Sequence, residues 1–110
     1  MIDSRNIQKQ LQNLKKKMIL IDIREFRSNL PFLLYSSHSF QIIPKTITVG
    51  DYIVALEICI ERKGISDLFQ SFNSGRLYNQ IEAMCKYYKF PCLLIEFNIE
   101  KSFCLVVSLS

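Results

Sequence analysis

The chain has 110 residues, of which 49% are hydrophobic and 22% charged, with only three glycines and three prolines. That excludes a disordered tail and a collagen-like or linker sequence, and leaves room for one domain. Fourteen basic residues against ten acidic give a net charge of +4, which permits an anionic partner without identifying one.

No apolar run approaches the roughly 18 residues of a membrane span, so no membrane association is expected. Met1 to Lys17 alternates polar and charged side chains and lacks the apolar centre of a signal peptide. Within it, Ile7, Leu11 and Leu14 stand at helical spacing, and residues 1–17 read as a basic lead-in helix or linker. The Lys15–Lys17 run is a solvated face or a phosphate contact. Residues 18–110 form the domain proper.

Met18 to Ile23 is a short β-branched run that reads as a buried strand, with Asp22 out of character at its end. A helix is expected from Phe26 to Ser36, with Ser28 as cap and Pro31 in its first turn. Gln41 to Val49 alternates as a second strand. Gly50-Asp51 makes a corner, and Tyr52 to Arg62 reads as one long strand. His38 falls in a loop and is assigned no role. Ser66 is the expected N-cap of a helix whose buried face carries Ile65, Leu68, Phe69 and Phe72. Asn73-Ser74-Gly75 interrupts it, and Leu77, Ile81, Met84, Cys85 and Tyr88 resume the stripe. Cys92 to Phe97 reads as another buried strand. Strands alternating with helices predict an α/β sheet covered on both faces.

The four cysteines, Cys59, Cys85, Cys92 and Cys104, form no Cys-x-x-Cys pair, and His38 is the only histidine. A structural zinc site is not expected. Each cysteine lies in an apolar stretch, so buried, reduced thiols are expected.

The acidic residues are unusually placed. Asp22, Glu61 and Glu96 stand at or near the ends of apolar strands, and Asp51 at a corner. Buried carboxylates are costly unless paired or bound to a cation. Alternation puts Glu61 and Lys63 on one face and Arg62 on the other. If the long strand bends, Asp51 and Glu61 converge beside Lys63, a donor set that suits a hard cation such as Mg²⁺. Each residue alone also has an ordinary reading. Asp51 after Gly50 suits a turn, and Glu61-Arg62-Lys63 a solvated charge run. Asp67 suits a helix N-terminus, Asp22 and Arg24 a same-face ion pair, and Glu96 a strand's exit into solvent.

Taken together, Gly50-Asp51-Tyr52 followed by Ile60-Glu61-Arg62-Lys63-Gly64-Ile65-Ser66-Asp67 resembles the signature of the XPF family of structure-specific DNA endonucleases. Ile21-Asp22-Ile23-Arg24-Glu25-Phe26-Arg27-Ser28 resembles the family's D-x-R-E-x-R segment. Asn73-Ser74-Gly75-Arg76-Leu77-Tyr78-Asn79-Gln80 resembles its N-x-G-R-L-x-x-Q helix, and Leu93 to Phe97 its next strand. The resemblance runs collinearly from Met18 to Phe97 and is nearest to the family's catalytic subunits.

That resemblance implies a restriction-endonuclease-like α/β fold, with a central mixed sheet flanked by helices, and Mg²⁺- or Mn²⁺-dependent cleavage of DNA near duplex/single-strand junctions. It implies an active-site set of Asp22, Arg24, Asp51, Glu61, Arg62, Lys63 and Asp67. In it Asp51 and Glu61 hold the metal with Asp22 close by, Lys63 orients water or offsets charge, and Arg24 and Arg62 clamp a phosphate or order the carboxylates. Asp67 holds Lys63 or Arg62. It further implies branched DNA as substrate, a non-catalytic partner subunit or a homodimer, a role in nucleotide excision and crosslink repair, and a nuclear location if eukaryotic, otherwise cytoplasmic. Family members continue beyond this strand into further helix and strand and a helix-hairpin-helix domain, whereas this chain ends thirteen residues after Phe97. An incomplete C-terminal part, an unpaired edge strand and weak DNA affinity are therefore expected. The alternative is a nuclease-fold module used for dimerisation or scaffolding. Such members lose the acidic and basic set that this chain keeps.

Overall fold

A computed structural model of the chain describes residues 4–7, 17–55, 57–98 and 103–109. Most of the expected lead-in over residues 1–17 lies outside these residues; within it, residues 4–7 are helical and Lys17 opens the first strand.

Among the described residues six strands form one mixed sheet: β1 Lys17–Asp22, β2 Phe40–Lys45, β3 Tyr52–Ala55, β4 Ile58–Gly64, β5 Phe90–Asn98 and β6 Phe103–Ser108. Besides residues 4–7 and a 3-10 turn at Ile23–Arg27, three α-helices accompany them among the described residues: α1 Leu30–Ser36, α2 Ile65–Ser74 and α3 Arg76–Tyr87. The spatial order is β2-β1-β3-β4-β5-β6. β1 runs parallel to β2 and β4 parallel to β5, and the other neighbours are antiparallel.

Register decides which side chains share a face. Ile21 pairs with Tyr52, and Tyr52 with Ile60, so these three point one way. They build one core with Ile19, and Leu30 and Leu34 of α1 pack against it. Their strand neighbours Asp22, Asp51, Glu61 and Lys63 therefore point the other way. That second face carries Leu93 and Ile95, which pair with Glu61 and Lys63, and it is closed by Leu77 and Ile81 of α3 and by Ile65 and Leu68 of α2. The sheet is thus covered on both faces, as the alternation of elements predicted.

Several local expectations are corrected. Tyr52 to Arg62 is a hairpin, not one long strand, with a bulge between Ile53 and Ala55. No Gly, Pro or Asn marks the reversal, so the sequence hides it; the pairing of Tyr52 with Ile60 enforces it. The second strand stops at Lys45, and Ile47 turns inward as a buried loop residue. Ser28 caps no α-helix. It closes a 3-10 turn, Ile23–Arg27, by donating its N–H and hydroxyl to Glu25 O, and α1 starts after Asn29 with Pro31 in its first turn. α2 is capped by Gly64, not Ser66. His38 sits in the turn after α1 at φ 60°.

Phe69 and Phe72 are 62% and 72% exposed, contrary to the expected buried stripe. Ser71 takes the innermost position of α2 and rotates both rings outward. Cys59 is buried, but Cys85 and Cys104 are exposed and Cys92 half-buried; all four thiols are free. β6 pairs along β5, so β5 is not left unpaired, and Leu105, Val106 and Val107 of β6 are exposed.

Candidate active site

The hairpin brings the two carboxylates together. Asp51 N donates to Ile60 O at 2.9 Å, which sets Asp51 opposite Glu61. Arg62 N donates to Asp51 Oδ2 at 2.8 Å and fixes that carboxylate. Asp22 N donates to Asp51 O at 2.9 Å, so the end of β1 is tied to the same corner. Gly50 makes the corner possible. Its φ is +90°, and a Cβ there would lie 2.0 Å from the buried Cys59 Sγ.

Asp22, Asp51 and Glu61 line one cleft of about 450 Å³ together with Arg24, Glu25, Arg76, Asn79 and Gln80. Burial, partly opposed by the Arg62 N–H, raises the Asp51 carboxyl above its ordinary value. Burial and the adjacent Asp51 charge push Glu61 further, from an ordinary 4.5 up to about 8. Two like charges in a partly dry cleft repel, and a cation between them removes the penalty.

This upward shift has a defined sign. The folded chain binds more protons than the unfolded chain between pH 4.5 and about 8, so without added divalent cation stability falls as pH rises through that window. Glu61→Gln is expected to flatten this fall and to stabilise the fold by roughly 2 kcal/mol at pH 8. Thermal melts of both proteins at pH 5 and pH 8 check it: equal pH dependence contradicts the assignment.

Asp22 is fully buried and already satisfied. Its Oδ1 accepts from Ile47 N at 3.0 Å and its Oδ2 from Arg24 Nε at 2.6 Å. Burial alone would raise this carboxyl, but the Ile47 N–H and the Arg24 hydrogen bond and charge outweigh it and hold it below the ordinary value. Arg24 is thereby aimed: its guanidinium also donates to Ile47 O at 3.2 Å, yet its side chain stays 69% exposed at the cleft.

The two arginines of the predicted set separate clearly. Arg62 points to the opposite face, away from the cleft. Its Nε donates to Glu25 Oε1 at 2.6 Å and its Nη1 to Glu96 Oε1 at 3.3 Å. Arg62 therefore clamps the end of β1 to β5 across β4, and Glu96 is an ion-pair partner rather than a solvent-facing strand exit. Arg62→Leu leaves two half-buried carboxylates without their cation and is expected to cost about 3 kcal/mol in urea unfolding. An unchanged urea midpoint would contradict this role.

Lys63 is buried with Glu61, its Nζ 3.8 Å from Glu61 Oε1 and 3.2 Å from Ser71 Oγ. Asp67 is exposed in the first turn of α2 and is not brought to Lys63 or Arg62, whose side-chain hydrogen bonds go to Ser71, Glu25 and Glu96. Glu25, Ser71, Arg76, Asn79 and Gln80 join the site without having been assigned to it. All but Ser71 lie in the family-like segments at 21–28 and 73–80, which is the signal that pointed to them.

Among the described residues no group of three or more His, Cys, Asp or Glu side chains is disposed to hold a metal. The donor set that fits a hard divalent cation is the Asp51–Glu61 pair completed by water. The Gln80 amide oxygen supports this fit: it is buried, has no hydrogen-bond partner, and belongs to a residue lining the same cleft.

Comparison with known proteins decides the family. The ERCC4 domain model matches residues 21–108. The chain belongs to the ERCC4 domain family. Over 89 residues it is 54% identical to the DNA repair endonuclease UVH1 of Arabidopsis thaliana, an alignment covering 81% of this chain and 9% of that protein. It is 50% identical over 103 residues to the mouse DNA repair endonuclease XPF, covering 94% of this chain and 11% of the relative. The chain thus spans about a tenth of the length of these two curated relatives. Among solved structures, XPF from Aeropyrum pernix in complex with DNA superposes with a TM-score of 0.72 at 35% identity, covering 76% of this chain and 41% of that one. The mixed six-stranded sheet with helices on both faces is the restriction-endonuclease-like fold expected of this family.

Proposed function

We propose that this chain carries the catalytic core of a metal-dependent, structure-specific DNA endonuclease, which hydrolyses a phosphodiester near duplex/single-strand junctions. The observation that carries the reading is the convergence of Asp51 and Glu61 on one cleft, with a buried lysine beside them. The family's DNA repair endonucleases and the DNA-bound archaeal relative agree with it.

In this reading Asp51 and Glu61 hold Mg²⁺ or Mn²⁺, with Asp22 close by. A divalent ion bound there would supply Lewis-acid polarisation of a phosphate oxygen and a more acidic water. Lys63, next to Glu61, offsets the charge that grows on the phosphorus oxygens. Arg24, held by Asp22, meets a phosphate at the mouth of the cleft. Arg62 acts at one remove: it fixes Glu25 and Glu96 through its side chain and Asp51 through its N–H, and so orders the carboxylates. Asp67 serves the positive end of α2 through the helix dipole.

Residues 18–110 are the nuclease domain and residues 1–17 a basic lead-in. The chain's net charge of +4 comes from residues 1–17, with five basic side chains against one acidic, while residues 18–110 carry nine of each, so the domain offers few phosphate contacts and firm DNA binding falls to further parts of a longer protein, to a non-catalytic partner subunit of the family, or to a second copy. The repair roles named for the eukaryotic relatives support a nuclear location if the source is eukaryotic and a cytoplasmic one otherwise, and no helix among the described residues is long and apolar enough to cross a membrane. A scaffolding module would have no need of the paired carboxylates and lysine.

The test is cleavage of a labelled splayed duplex in Mg²⁺ or Mn²⁺, with and without a helix-hairpin-helix subunit. Nicking near the junction and little cutting of uninterrupted duplex is the expected result. No nicking under either condition overturns the reading.

A further inference from the structure

Ser71 is fully buried at the innermost position of α2, and its hydroxyl oxygen receives two cations. Lys63 Nζ donates to it at 3.2 Å from β4, and Arg76 Nη2 at 2.9 Å from the first turn of α3. The left-handed corner at Gly75, φ +80°, turns the chain so that Arg76 reaches back five residues to Ser71. Ser74 steadies the corner: its hydroxyl donates to Ser71 O and accepts from Arg76 N, each at 3.3 Å.

A serine hydroxyl has two lone pairs, and here each faces a positive charge. The oxygen is neutral, so it orients the cations without cancelling them. The carboxylate beside Lys63 belongs to Glu61, and at 3.8 Å it is too far for a hydrogen bond. Lys63 and Arg76 are therefore held side by side on one neutral acceptor, with the Glu61 carboxylate paired to the ammonium through space. Arg76 lines the same cleft as Asp51 and Glu61. A free arginine on a helix surface samples many rotamers, and the bond to Ser71 removes that freedom before substrate arrives.

We propose that Ser71 is a positioning residue whose hydroxyl fixes Lys63 and Arg76 as a paired cationic wall that receives the non-bridging oxygens of the substrate phosphate. The proposal rests on the endonuclease reading above and extends it to Ser71 and Arg76. A phosphodiester offers two anionic oxygens in one plane, which matches two adjacent donors better than one.

The test uses the full chain, Mn²⁺ and a splayed duplex, with Ser71→Ala, Ser71→Thr, Arg76→Gln and the double variant Ser71→Ala/Arg76→Gln. Ser71→Ala and Arg76→Gln are each expected to slow cleavage about tenfold, and the double variant no more than the worse single one, because both break the same element. Ser71→Thr keeps the hydroxyl and recovers most of the rate. Additive losses, or a wild-type rate in Ser71→Ala, overturn the proposal. Should Ser71→Ala not fold, Arg76→Gln at the exposed end of the pair decides, and a wild-type rate there also overturns it.

A second readout is independent of cleavage. In ¹H–¹⁵N spectra of lysine ammonium groups, Lys63 is expected to give a slowly exchanging signal in the wild type that Ser71→Thr keeps and Ser71→Ala loses. An unchanged Lys63 signal in Ser71→Ala overturns the proposal, whether or not the chain cuts DNA. Loss of that signal in a chain that cuts nothing would leave the Ser71 contact standing and sink the endonuclease reading instead.

Discussion

Asp51→Ala is expected to cut the nicking of a splayed duplex about a thousandfold while leaving the chain folded. Two opposing changes keep the fold intact. Loss of the carboxylate leaves Arg62 N–H without its acceptor at 2.8 Å, a cost of about 1–2 kcal/mol. The same change removes the charge that repels Glu61, whose carboxyl is pushed upward by burial and by Asp51. The cleft keeps its walls but loses one of two anionic arms. Lys63→Ala is expected to lose activity by a similar factor through a different route, because the carboxylates remain and the neighbouring ammonium is gone. Circular dichroism and urea midpoints establish folding, and single-turnover cleavage in Mg²⁺ and Mn²⁺ reads the chemistry. Equal cleavage by wild type and Asp51→Ala assigns the activity elsewhere.

Gly50→Ala is expected to be the most destabilising single substitution in the site, at roughly 3 kcal/mol or more. Two causes act together. The backbone at φ +90° is strained for any residue with a Cβ, and the new methyl would lie 2.0 Å from the sulfur of Cys59, a side chain with no exposure. Cys59 cannot step aside, because the sheet and Tyr88 enclose it, and burial pushes its thiol up to about 12. Asp51 is the next residue, so a corner that shifts to relieve the clash also displaces a carboxylate. Pairing the change with Cys59→Ala removes the sulfur and leaves the Cβ of residue 59 at 3.8 Å, an ordinary contact. The double variant is therefore expected to regain the steric part of the loss and to keep the part due to backbone strain. Denaturation of the single and double variants measures the split. No recovery in the double variant would show that sulfur contact is not the cause.

How far the sequence can be read follows from where its signals are local. The strands β1 and β5, and the break at Gly75, were legible because apolar runs and a glycine corner mark them. Asp51, Glu61 and Lys63 were legible as one cluster because strand alternation puts Glu61 and Lys63 on one face. The manner of their meeting was not. It comes from a hairpin whose reversal lacks the usual turn residues, and only the cross-strand pairing of Tyr52 with Ile60 reveals it.

Arg62 shows a different limit. Alternation gave its direction, but its partners Glu25 and Glu96 stand 37 and 34 residues away. Ser71 was missed for the opposite reason: a small polar residue between Phe69 and Phe72 looks like surface, and helical periodicity favours the phenylalanines for the core. Two cations seeking an acceptor reverse that preference.

Divalent-ion binding tests the central claim most directly. Mn²⁺ titrated into the chain and followed by electron paramagnetic resonance is expected to show one saturable site that Asp51→Asn and Glu61→Gln each weaken strongly. Lys63→Ala is expected to leave the site in place. Undiminished Mn²⁺ binding in both carboxylate variants would contradict the account, because the ion would then be held by other groups.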